Sequence, residues 1–143
     1  MHYDIYLGGI AQKGWREKFK SDIGTGFNIF DPIVENYADL STDEISEVAA
    51  REFFNIENDN TVVVFYLNDQ WNGTTLLLEI GDAIGRGKQV ILCLDGEVNG
   101  KEKIRRYCEF RGALITESME DLITSVETCI FEIELISSDF EEH

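Results

Sequence analysis

Apolar residues fall into two patterns along the chain, short continuous runs and stretches at helical spacing, and the two alternate. Asp4 to Leu7 reads as a strand stopped by Gly8-Gly9, Trp15 to Phe19 as a short helix, and Phe27 to Phe30 as a second strand ended by Asp31-Pro32. Ser41 and Glu44 are spaced as a capping box. Ile45, Val48, Ala49, Phe53 and Ile56 then recur at helical spacing, which predicts a helix through about residue 57. Thr61 to Leu67 is apolar on both faces, as a central parallel strand covered on both sides must be. Beyond a polar loop, Thr74 or Thr75 is placed to cap a helix carrying Leu76, Ile80, Ala83 and Ile84, closed by Gly85 and Gly87. Gln89 to Leu94 reads as a buried strand, Lys101 to Phe110 as a helix and Ala113 to Ile115 as a short edge strand. Met119, Leu122, Ile123, Val126, Ile130 and Ile133 mark a final helix.

This alternation predicts an α/β fold: a doubly wound, five-stranded parallel sheet with helices on both faces, whose ligands bind in the crevice beyond the carboxyl ends of the strands. The 143 residues suit a single domain over 1–143, and 43% hydrophobic with 28% charged residues is an ordinary globular mixture. Twelve Lys plus Arg against 28 Asp plus Glu give a net charge of −16, which repels phosphate backbones and anionic lipid heads, so neither nucleic acid nor a membrane surface is expected as a partner. From about 117 onward there are nine acidic residues and no Lys or Arg, an acidic C-terminal helix and tail. Phe131, Leu135 and Ile136 lie off the main stripe of that helix, so the residues leave open a second apolar face for self-association or a fraying end.

Candidate chemistry narrows by elimination. Cys93, Cys108 and Cys129 show no metal-ligand spacing, Cys93 lies in a buried-strand run, and neither a disulfide framework nor a metal site is expected. The opening residues lack the pattern of a secretory signal, and no apolar stretch approaches the roughly 18 residues of a membrane span, so a cytoplasmic protein is expected. His2 and His143 lie near the termini, which leaves catalysis to carboxylates and hydroxyls. Three loops should converge at the strand ends: Gly8-Gly9, Asp31, and 68–73 with Asp69 and Asn72. Glu79 follows in the first or second turn of the next helix, its side chain leaning toward the helix N-terminus and hence the crevice. The helix dipole there favours an ionised carboxylate, the form needed by a nucleophile toward an anomeric carbon. Position alone also allows Glu79 simply to support the helix start.

Tyr3-Asp4-Ile5-Tyr6-Leu7-Gly8-Gly9, the Val62 to Asp69 segment, and Gly73-Thr74 through the Glu79-Ile80-Gly81-Asp82-Ala83-Ile84-Gly85-Arg86-Gly87-Lys88-Gln89-Val90 stretch resemble the nucleoside 2-deoxyribosyltransferase family, over residues 3 to about 94. The resemblance implies a flavodoxin/Rossmann-like fold. It also implies a retaining double displacement on a (deoxy)nucleoside or nucleotide, by transfer to another base or by hydrolysis, with no cofactor. Glu79 matches the nucleophile, Tyr6 the residue that orients it, and Glu52 the carboxylate that manages the departing base's proton. Asp31, Trp15 and Arg16 resemble positions on the base side of the pocket. Trp15 is expected either to stack on a base or to cover the core, and Arg16 is the nearest cation for a 5′-phosphate. Gly8 and Gly9 are expected to admit the sugar or a phosphate to backbone N–H groups. The family's loop aspartate, six residues before the nucleophile, is Gly73 here, so Asn72 or Asp69 is left to supply the sugar contact. A homo-oligomer is a further implication. The alternative reading is a module of the same fold that binds or sequesters a nucleotide without turnover.

Overall fold

The computed structural model describes residues 3–10, 12–32, 41–44, 60–71 and 74–141. In chain order the elements are β1 (Ile5–Leu7), α1 (Lys13–Asp22), β2 (Ile29–Phe30), β3 (Val62–Leu67), α2 (Thr75–Gly85), β4 (Gln89–Leu94), α3 (Lys101–Phe110), β5 (Leu114–Thr116) and α4 (Met119–Glu141). All strand pairings are parallel, in the order β2-β1-β3-β4-β5. The chain therefore winds outward to β2 first and then reverses past β1 to β3, β4 and β5. The reversal falls between β1 and β3, where a doubly wound sheet opens its crevice.

Right-handed crossovers put α1 on one face of the sheet and α2 and α3 on the other. Helix α4 lies on β3, β4 and β5 and touches α1, whereas α2 packs on β4 and α3 on β5. Covered from both sides, every residue of β3 is buried, as are the last five of β4. This is why both strands are continuous apolar runs.

The capping box at Ser41 is realised. Ser41 Oγ accepts the Glu44 N–H at 3.2 Å, and the Glu44 carboxylate accepts from Ser41 Oγ at 3.0 Å and from the Ser41 N–H at 3.4 Å. Residues 42–44 are helical, and the expected continuation to 57 lies outside the described residues. Elsewhere the structure adjusts the expected boundaries. Helix α1 is longer than Trp15 to Phe19, β2 is reduced to two residues at the sheet edge, and α4 continues well past Ile133. Strand β5 starts one residue later than expected because the Ala113 N–H is used on the Cys108 carbonyl, closing α3. Thr74 occupies the N-cap of α2 but makes no side-chain cap bond. Its backbone is already αR (φ −111°, ψ −20°) instead of extended, so the hydroxyl is not turned toward the first-turn N–H groups.

Candidate functional site

Arg16 organises the strand ends. It comes from the first turn of α1, is 2% exposed, and donates through Nη1 to the Leu7 carbonyl at 2.9 Å and Asp31 Oδ1 at 2.7 Å. Through Nη2 it donates to the carbonyls of Ile10 at 3.2 Å and Gly9 at 3.3 Å. Burial pulls the guanidinium below its ordinary value, opposed by Asp31 and then by Tyr6 and Glu79. The second Asp31 oxygen accepts from Lys20 Nζ at 2.7 Å. A helix thus supplies one cation that holds the end of β1, the loop after it and the end of β2 together.

Glu79 lies within the field of the same cation. It is the fifth residue of α2, three after Leu76 and four before Ala83, which are both buried, so helical spacing draws it partly under the helix. Desolvation pushes its carboxyl above the ordinary range, and the field of Arg16 pulls it back. Because a helix dipole acts mainly within the first turn, the charge that favours the carboxylate here is Arg16 more than the helix end. Tyr6 is buried on β1, stacked on Phe30 with ring centroids 5.7 Å apart, and also lies within the field of Arg16. Tyr6, Arg16, Asp31 and Glu79 are therefore brought to one neighbourhood.

Other expected residues take different places. Trp15 is 6% exposed, donates from Nε1 to the Ile10 carbonyl at 2.9 Å, and stacks on Tyr66 at 4.8 Å and 13°. That is the core-covering alternative, with the ring committed inside the protein. Gly8 and Gly9 are also required for packing. The Gly8 N–H bonds the Val64 carbonyl at 2.7 Å, and a Cβ there would meet the Phe65 ring at 2.5 Å. Gly9 has φ +113°, and a Cβ on it would lie 2.6 Å from both Tyr66 N and Tyr66 O. Asp69 is exposed on the loop after β3. Glu52 and Asn72 lie outside the described residues.

Several polar groups at the rim were not expected. The Asn68 side chain accepts the Gln70 N–H at 2.9 Å and donates to Gln12 at 3.5 Å, and Gln12 in turn donates to Gln70, linking the loops after β1 and β3. Tyr66 donates to Asp95, just past β4, and burial together with that carboxylate drives the phenol above its usual range. Trp71 Nε1 is buried without a hydrogen-bond partner among the described residues. Only the β3–β4 register, which pairs Tyr66 with Cys93 two residues before Asp95, brings the Tyr66–Asp95 pair together. Among the described residues no group of three His, Cys, Asp or Glu is placed to hold a metal ion, and no helix is long and apolar enough to cross a membrane.

Fold and site together define a doubly wound α/β protein with a carboxylate and a buried arginine at the switch point of its sheet. The family model described as nucleoside 2-deoxyribosyltransferase like matches residues 2–97, and the chain belongs to that family. No curated protein matches it. Among solved structures it is similar to a conserved protein from Enterococcus faecalis V583, at 15% identity and a TM-score of 0.59 over 90% of this chain and 99% of the other; that likeness concerns the fold.

Proposed function

We propose that the protein cleaves the N-glycosidic bond of a small-molecule (deoxy)nucleoside by a retaining mechanism with Glu79 as nucleophile. The ionised Glu79 carboxylate attacks C1′. The C1′–N bond breaks, and its electron pair leaves with the base, which takes a proton from an acid, the role given to Glu52. A second base or water then attacks C1′ and gives its proton to the Glu52 carboxylate, the Glu79–C1′ bond breaks, and both carboxyl groups return to their starting states. The observation that carries this reading is the placement of Glu79, half-buried in the field of Arg16 at the strand ends. Asp31 is committed to Arg16 and Lys20, which makes it a fixed acceptor instead of a proton donor. Both Nη groups of Arg16 are spent on carbonyls and Asp31, and its Nε is buried, so a nucleoside suits the site better than a nucleotide.

Exchange of a second free base into a deoxynucleoside, followed by chromatography, tests the reading. New nucleoside or free base is expected, and its absence with every base pair would overturn it. Gly73 in place of the family's loop aspartate favours the second reading, a binding module without turnover. Nucleoside binding without product in that assay would establish it.

A further inference from the structure

The three residues that resemblance places on the base side of the pocket are committed elsewhere. Trp15 and Arg16 are buried, and Asp31 holds Arg16 and Lys20, so all three are turned to partners within the protein. The mouth of the crevice carries side-chain amides instead. Gln12 stands at the N-cap of α1, beyond β1, and Asn68 and Gln70 stand in the turn after β3, so the bond from Gln12 to Gln70 crosses the switch point of the sheet. That turn is well built. The Trp71 N–H bonds the Asn68 carbonyl at 3.1 Å, the Gln70 N–H bonds the Asn68 side-chain oxygen at 2.9 Å, and Asn68 Nδ2 donates to Gln12 at 3.5 Å. Gln12 makes no cap bond to its own helix and is partly exposed, while Gln70 is exposed. Both amides are thus held in place and open to solvent. Beside them Trp71 packs against the core, yet its Nε1 is buried with no acceptor among the described residues. An unmet donor of this kind is costly and marks a place where an acceptor is supplied from outside.

We infer that Gln12 and Gln70 recognise the nucleobase of the substrate, each through the paired donor and acceptor of its carboxamide. The inference rests on the nucleoside reading above and adds to it the residues that choose the base. A carboxamide carries an N–H donor beside a carbonyl acceptor, and a nucleobase edge carries the complementary pair, which is how Asn and Gln read adenine. Neutral amides also suit the uncharged part of a nucleoside. The bond between Gln12 and Gln70 lies at an exposed position, so exchanging it for bonds to a base costs little. A base also brings the ring nitrogens and carbonyls that are acceptors of the kind Trp71 Nε1 lacks.

The test is calorimetric titration of the four natural 2′-deoxynucleosides into the full chain carrying Glu79→Gln, so that ligand is not consumed. The same titrations are repeated with Gln12→Leu or Gln70→Leu added, and circular dichroism verifies the fold. Unequal affinities for the four are expected in the parent. Each leucine should weaken the best-bound nucleoside by about five-fold or more, the loss of roughly one hydrogen bond, and should flatten the differences among bases. A purely structural role would weaken all four in parallel. Parallel weakening, or unchanged affinities, overturns this inference and leaves the glutamate reading to stand on base release by the wild type. Absence of binding together with absence of base release in the wild type overturns both.

Discussion

Arg16 Nη1 sits 2.7 Å from Asp31 Oδ1 and 2.9 Å from the Leu7 carbonyl, so a single cation from α1 joins the ends of β1 and β2. Replacing it takes the buried partner away from one carboxylate and a donor away from three carbonyls. Arg16→Met is expected to lower unfolding free energy by about 3 kcal/mol or more, the cost of breaking a buried ion pair from one side. Lys20→Ala, at the exposed end of the same carboxylate, should cost no more than about 1 kcal/mol. Urea denaturation of both variants measures the contrast.

The glycines divide by what a methyl group would meet. Gly9→Ala puts Cβ against Tyr66 backbone at φ +113° and should destabilise by more than about 2 kcal/mol. Gly81→Ala, in the interior of α2 with nothing within 4 Å, should stabilise by roughly 0.5–1 kcal/mol. Thermal melts of the two variants should shift in opposite directions.

Glu79 ties stability to pH. Its folded carboxyl is raised above its unfolded value, so the folded state binds the proton more tightly. That contribution is full below the ordinary carboxylate range and is lost as pH rises through the raised value. Glu79→Gln, neutral throughout, should therefore be more stable than the wild type at neutral pH, with the advantage shrinking on acidification. Denaturation midpoints for both proteins across pH 4 to 8 check the sign.

Thiol reactivity should follow burial. Cys93 is fully buried and its thiol is pushed up to about 12, and Cys108 is buried as well, while Cys129 is partly exposed. Ellman's reagent on the native protein should label Cys129 first and leave Cys93 unmodified until urea is added. Early labelling of Cys93 would contradict the burial of β4.

Much of this architecture is legible in the residues, and the reason differs by element. Strand β4 and helix α3 occupy the bounds that their patterns predict, Gln89–Leu94 and Lys101–Phe110, because burial from both sides and a regular amphipathic face leave clear signatures. Strand β2 is shorter than expected because an edge strand needs only the two pairings it makes with β1. Function was less legible than fold. Resemblance singled out Glu79 and Tyr6, but no local pattern shows that Arg16 turns inward onto backbone carbonyls instead of outward toward a phosphate. Nor does it show that Gly8 and Gly9 yield space to β3 instead of to a ligand. The glycine packing depends on which strand lies beside β1, and β3 arrives more than fifty residues later in the chain, whereas the Arg16 bonds depend on how the loop after β1 and the end of β2 meet α1.

The most direct test of the glutamate mechanism is base release from a 2′-deoxynucleoside by the wild type and by Glu79→Gln, with intact-protein mass spectrometry on quenched samples. A deoxyribosyl adduct on the peptide containing Glu79, and a fall in rate of roughly a thousand-fold or more in the folded variant, is the expected result. Base release continuing in Glu79→Gln at a rate near that of the wild type would contradict it.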